Sequence, residues 1–176
     1  MKNVVGWLMS ALSFPALAAL NAGDPAPVFS TQASLGGKEF TYSLSEALKA
    51  GPVVLYFYPA AFTKGCTVEA HDFAEAMPEF KALGASVVGV SNDSIETLNK
   101  FSVSECQSKF PVASDRSQRI MKSYDAVLLW KTSYANRVSY VISTDGKVAY
   151  SYTSLDPGRH VANTLAAVRK LHDRIP

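Results

Sequence analysis

The stretch Val53-Val54-Leu55-Tyr56-Phe57-Tyr58-Pro59-Ala60-Ala61-Phe62-Thr63-Lys64-Gly65-Cys66-Thr67-Val68-Glu69 decides how this chain is read. A β-branched and aromatic run gives way to proline, then to a short turn bearing glycine, then to a cysteine that opens a helix-like segment. That order delivers a thiol to a helix N-terminus at the end of a buried strand. There the unpaired backbone N–H groups and the helix dipole favour a thiolate.

Upstream of this stretch, Gly23-Asp24-Pro25-Ala26-Pro27 is an extended lead-in, because its prolines oppose helix. Gly36-Gly37 marks the turn of a small hairpin between Val28-Phe29 and Phe40-Thr41-Tyr42. Ser43 or Ser45 caps a short helix over Glu46 to Lys49 that stops at Gly51-Pro52.

Downstream, Ala70, Phe73, Ala74, Met77 and Phe80 follow helical spacing from Thr67, with Pro78 expected to kink or restart the helix and Gly84 to end it. Ser86 to Val90 is the next strand. Asp93 or Ser94 caps a helix carrying Ile95, Leu98 and Phe101, with Cys106 near its end. Pro111-Val112-Ala113 is a short extended piece, and Ser114-Asp115 starts a helix to about Tyr124. The strands Val138–Ile142 and Val148–Tyr152 flank the turn 143–147, and Pro157 precedes a last helix with Val161, Leu165, Val168 and Leu171 on one stripe. Early strands joined by helical crossovers are parallel and the late hairpin antiparallel. The expectation is an α/β mixed sheet flanked by helices, a plan that resembles the thioredoxin-like fold.

Length and composition agree. The 176 residues suit one domain with a single substantial core, and 48% hydrophobic with 18% charged residues describes a globular chain. A net charge of +2 without a basic run excludes a nucleic-acid interface. At the start, the basic Met1-Lys2-Asn3, an apolar stretch from Val4 and the small-x-small Ala16-Leu17-Ala18 form a cleavable secretory signal ending near Ala18. The apolar stretch is short for a membrane span, which needs about 20 residues. The expected mature chain, 19–176, is a soluble domain in the periplasm or outside the cell, with no stable membrane association once the signal is removed. Both cysteines, Cys66 and Cys106, lie in it, and two thiols in an oxidising compartment can form one disulfide. No zinc-type Cys/His spacing occurs, and no cofactor is expected.

Activation of the thiol has a bounded value. A free thiol is only about 3% ionised at neutral pH, and lowering its pKa by about two units raises that fraction roughly 25-fold. Nucleophilicity falls with basicity, so a net benefit of about threefold remains. Groups that orient the substrate must supply the rest. Thr63, three residues before Cys66, can aim its hydroxyl at the sulfur or at a substrate oxygen, and Pro59 shields the pocket without an N–H of its own. Arg137, opening a strand, brings a permanent charge and a fork of donors, and Glu69, one turn after the cysteine, can hold that arginine. His71 lies off the helical face of the thiol and is read as a surface or core-edge residue.

Pro59-(x)3-Thr63-(x)2-Cys66 resembles the active-site signature of the peroxiredoxins, and Gly65-Cys66-Thr67 with Glu69-Ala70-His71-Asp72-Phe73 is most similar to their Q-type, or bacterioferritin-comigratory, branch. The resemblance continues through Phe110-Pro111-Val112-Ala113-Ser114-Asp115 to Arg137-Val138-Ser139-Tyr140-Val141-Ile142. It implies a peroxidase whose Cys66 attacks a hydroperoxide and becomes a sulfenic acid, with Thr63 and Arg137 bonding the peroxide oxygens. It also implies a thioredoxin-like or other thiol reductant and a monomer or weak dimer.

Many Q-type members carry a resolving cysteine five residues after the peroxidatic one, where this chain has His71. Cys106 is then the candidate resolving residue, in a helix from which some relatives resolve at a position nearer Ser102. Packing and a permanent disulfide remain alternatives for Cys106. For the protein, the alternatives are a one-cysteine peroxidase, a thioredoxin-like disulfide oxidoreductase and a disulfide-stapled binding module. The reductase lacks its Cys-x-x-Cys, since Thr63 stands at the first position.

Overall fold

The computed structural model describes residues 19–174, so the expected signal peptide, 1–18, lies outside the described residues. Hydrophobic alternation in β3 (Val53–Phe57) organises the whole molecule. Val53, Leu55 and Phe57 point into one apolar cluster, while Val54 and Tyr56, followed by Tyr58, point into another on the opposite face. Every residue of the strand is buried, as a central strand covered on both sides requires.

Around it, seven strands form one mixed sheet in the order β2-β1-β5-β4-β3-β6-β7. The hairpin β1 (Ser30–Leu35) and β2 (Lys38–Ser43) turns at Gly36-Gly37, so its first strand begins later than the expected Val28-Phe29. β4 (Ser86–Ser91) runs parallel to β3, and β5 (Val112–Ser114) runs parallel to β4. β6 (Val138–Ile142) is antiparallel to β3 and to β7 (Val148–Thr153). Helices α2 (Lys64–Ala82), α3 (Ile95–Ser104) and α5 (His160–His172) cover the Tyr56 face. Helices α1 (Leu44–Ala50) and α4 (Arg119–Ser123) cover the Leu55 face.

Several local expectations need correction. α2 starts at Lys64, one turn ahead of Thr67, and runs through Pro78 without restarting. Proline removes one intrahelical hydrogen bond, but Phe73, Ala74, Met77 and Phe80 are all buried and hold the helix to the sheet across it. Cys106 lies outside α3, in the turn that follows Ser104, where its N–H still donates to Phe101 O at 3.1 Å. α4 begins only at Arg119, because Gln118 adopts a left-handed conformation at its N-cap. In α5 the expected stripe does face the core, with Leu165 and Val168 buried and Val161 and Leu171 packed at its margin, and His160 and Thr164 are buried beside it.

Gly89 of β4 sits opposite Tyr56, and a Cβ there would come within 2.7 Å of the tyrosine ring. The fully buried Tyr56 has no space to yield. Gly89→Ala is expected to destabilise the fold by about 1–3 kcal/mol through overpacking, read as a lower urea midpoint with unchanged slope.

Candidate active site

The end of β3 sends the chain into the turn Pro59-Ala60-Ala61-Phe62-Thr63, and that turn is pinned to the sheet by Asp93. Asp93 Oδ2 accepts from Ala61 N–H at 2.8 Å and from Ser91 Oγ at 2.7 Å. Capping of α3 falls to Ser94, whose side chain accepts from Thr97 N, which frees Asp93 for this task. Phe62 sits left-handed, with φ of 62°, and rests edge-on against Phe101 at 5.3 Å. A bulky residue in that region is strained, and the pinned turn holds it there.

Thr63 is the N-cap of α2 in extended conformation. Its hydroxyl donates to the Ala60 carbonyl at 2.9 Å, so its proton is committed to the turn and its oxygen is left as an acceptor toward solvent. Cys66 is the third residue of the helix, within the turn whose backbone N–H groups have no intrahelical partner. Its side chain is buried, with 1% exposure.

Arg137 joins the site from the residue just before β6. Nη2 donates to Cys66 Sγ at 3.4 Å, Nη1 donates to Glu69 Oε2, and Nε donates to the Leu155 carbonyl at 3.0 Å. Gly65 permits this approach, since a Cβ on it would lie 3.1 Å from Arg137 Nη2. Burial alone would lower Arg137, but the charges of Glu69 and Cys66 and the hydrogen bonds to both outweigh it and hold it above its ordinary value. Glu69 is fully buried, and burial pushes its carboxyl up to about 8 against the opposing pull of Arg137.

The structure therefore brings Cys66, Arg137 and Glu69 into direct contact and sets Thr63 and Pro59 on the turn ahead of them. Pro59 borders a cavity of about 270 Å³ with Asn92, Asp93, Arg116 and Tyr134, and Cys66 does not line it. A larger cavity of about 510 Å³ lies between β7 and α5, lined by residues such as Ala149, Tyr150, Asn163 and Lys170, and contains none of the site residues.

Cys106 is a free, fully buried thiol in the same apolar cluster as Cys66, and burial, with the Glu105 charge, pushes it well above its ordinary range. His71 points away from the sulfur and pairs with Glu105 at 2.9 Å, tying α2 to the end of α3.

Sequence reasoning passed over three residues. Asp93 was weighed only as a helix cap. Ser139 and His160 complete the site behind Glu69: His160 Nδ1 lies 3.7 Å from Glu69 Oε1 and 2.8 Å from Ser139 Oγ. The signal for His160 was available, since it precedes Thr164 and Val168 by one and two helical repeats on the buried face. Burial pushes His160 down to about 4; the Ser154 carbonyl opposes this and the Arg137 charge adds to it.

Residues 22–151 match the AhpC/TSA family. Among curated proteins, the chain is 31% identical over 151 residues to peroxiredoxin Bcp of Xanthomonas campestris, covering 82% of this chain and 92% of the relative. It is 31% identical to the chloroplastic peroxiredoxin Q of Oryza sativa, covering 86% of this chain and 68% of that protein. Among solved structures, peroxidoxin BcpB of Mycobacterium tuberculosis superposes with a TM-score of 0.77 at 33% identity, covering 85% of this chain and 97% of that one.

The His160 environment sets a pH dependence. Between the ordinary value of 6.5 and the folded value of about 4, the unfolded chain binds a proton that the folded chain refuses, so His160 lowers stability as pH falls through that window. Replacing it with glutamine removes this loss. The stability deficit of His160→Gln against wild type, measured by urea unfolding, is therefore expected to shrink by about 2 kcal/mol between neutral and mildly acidic pH.

Proposed function

The chain belongs to the AhpC/TSA family and is a thiol-dependent peroxidase, and on that premise we propose that Cys66 is the sulfur that meets the hydroperoxide. The observation that carries the assignment is the Arg137 Nη2 donor 3.4 Å from Cys66 Sγ, on a helix N-terminus and beside the Thr63 turn. A fixed cation and unpaired N–H groups face the position where negative charge starts on sulfur and passes to oxygen.

In the proposed reaction, the Cys66 thiolate attacks the terminal oxygen in line. The S–O bond forms as the O–O bond breaks, and the departing oxygen takes a proton to leave as water or an alcohol. Arg137 and the lone pairs of Thr63 hold the two peroxide oxygens in that line, Pro59 walls the approach, and Glu69 fixes the guanidinium. Resolution follows when Cys106 attacks the sulfenic sulfur: the S–S bond forms, the S–O bond breaks and water leaves. Both sulfurs are buried, so this step needs local opening of the first turn of α2 and of the turn carrying Cys106. A thioredoxin-like or other external thiol then reduces the disulfide.

The chain is further read as exported, with 1–18 removed as a signal and 19–176 acting in the periplasm or outside the cell as a monomer or weak dimer. The basic start and the Ala16-Leu17-Ala18 site support this. Among the described residues no helix is long and apolar enough to cross a membrane.

Two measurements test these readings. Intact-mass analysis after one equivalent of peroxide is expected to show a disulfide, mapped to Cys66 and Cys106, in the wild type, and a Cys66 sulfenic acid in Cys106→Ser. A wild-type sulfenic acid with Cys106 free would establish the one-cysteine alternative, and peroxide turnover by Cys66→Ser would overturn the site. In cell fractions of a bacterium expressing the full chain, the mature mass is expected to begin near Ala19 in the exported pool. A full-length cytoplasmic product would overturn the export reading.

A further inference from the structure

Only one oxygen of the buried Glu69 carboxyl has a donor. Oε2 accepts from Arg137 Nη1, whereas Oε1 receives no hydrogen bond from the described residues. What Oε1 faces is His160 Nδ1, 3.7 Å away, on a ring that is itself fully buried. The state of that nitrogen follows from the other side of the ring. His160 Nε2 lies 2.9 Å from the Ser154 carbonyl oxygen, which can only accept, so Nε2 carries the ring proton. The neutral ring presents its one lone pair at Nδ1, and both Ser139 Oγ, at 2.8 Å, and Glu69 Oε1, at 3.7 Å, face it. An ionised Glu69 would thus bury an unsatisfied anionic oxygen against a second acceptor.

Charge counting leads the same way. A Cys66 thiolate and a Glu69 carboxylate around the single Arg137 cation leave one uncompensated negative charge in a site closed to water. With Glu69 neutral, the count closes. Other titratable groups do not change it. Tyr56 on β3, which burial keeps neutral, neighbours Glu69; Tyr152 on β7 packs edge-on against His160; and Asp72 on α2 and Asp156 ahead of α5 are exposed.

We propose that Glu69 acts as a neutral acid with its proton on Oε1, facing His160 and Ser139, so that the charge of Arg137 serves the Cys66 thiolate alone. His160 is then a positioning residue, acting on the sulfur through Glu69 and Arg137. Forming the thiolate then leaves Glu69 unchanged: the S–H bond of Cys66 breaks, its proton goes to solvent, and the Arg137 cation balances the charge left on sulfur. The raised carboxyl of Glu69 agrees with this placement. The inference rests on Cys66 being the peroxide-reactive sulfur.

Infrared spectroscopy of the reduced wild type in D2O at neutral pH tests it, alongside the rate of Cys66 alkylation against pH. A protonated-carboxyl band is expected in wild type, shifted by 13C-glutamate labelling and absent from Glu69→Gln. Because glutamine reproduces a neutral acid, the alkylation profile of Glu69→Gln should keep its midpoint to within about 0.3 unit. His160→Leu, which removes the facing acceptor, should move that midpoint to higher pH, and His160→Gln should restore part of the shift.

An ionised Glu69 gives the opposite result: removing its charge beside Arg137 would lower the midpoint by about one unit or more. The labelled wild-type band needs no variant to fold, and its absence in a protein that consumes peroxide would overturn the proton placement alone. An acid band in a protein whose Cys66 does not respond to peroxide would instead overturn the reading on which the proposal rests.

Discussion

Arg137 sends its donors in three directions: Nε to the Leu155 carbonyl, Nη1 to Glu69 and Nη2 to the Cys66 sulfur. Those partners belong to different parts of the chain, namely the loop after β7 and two successive turns of α2. A planar guanidinium permits this only in one orientation, so the fork fixes the start of α2 against the start of β6. Lysine offers a point charge without that geometry. The same constraint explains Gly65, where any side chain would press on Nη2, and it explains how Glu69 is tolerated fully buried. Removing Arg137 would leave the Glu69 carboxyl without its donor and the Cys66 sulfur without its cation, both buried.

The few-fold limit on thiol activation gives this arrangement its meaning. Since lowering the basicity of a sulfur returns only about a threefold gain in attack, a reactive site must be built as a geometry for the leaving oxygen. The observed devices are of that kind. Asp93 nails the turn through Ala61 N–H, Phe62 accepts a strained backbone and a perch on Phe101, and Thr63 spends its proton on Ala60 so that its oxygen faces outward. Each removes a degree of freedom from the place where a peroxide would sit.

How much of this was legible in the sequence follows from the range of each interaction. The strand, turn and helix at Val53 to Glu69 were readable because their signals are local: β-branched alternation, a proline, a glycine before the cysteine. Arg137 and Glu69 were legible by residue type and placement, a cation opening a strand and a carboxylate one turn after the cysteine, although 68 positions separate them. His160 and Ser139 were not, because a buried polar pair reads as one more turn of an amphipathic helix and one more strand residue. Cys106 was placed on a helix by its spacing from Ile95, yet the helix ends at Ser104. Periodicity cannot register that end, since the next two residues after the cysteine, Gln107 and Ser108, leave the right-handed region altogether.

That pair of left-handed residues bears on how a buried second thiol can be used at all. Outside glycine, each such conformation costs roughly 1–2 kcal/mol, and here both are held by the closed fold, with Ser108 N–H on Ser102 O at 2.9 Å and Ser108 packed near Gly36. Cys106 itself is shielded by Phe101, Phe110 and the other members of its cluster, and burial keeps it a thiol. A thiol so protected is a poor target for stray oxidation and a poor nucleophile while the fold is closed. Opening the turn reverses both properties and releases the local strain together. Opening that segment recovers the strain of Gln107 and Ser108, and the proposed meeting of the two sulfurs is gated by a few residues of backbone without unfolding the domain.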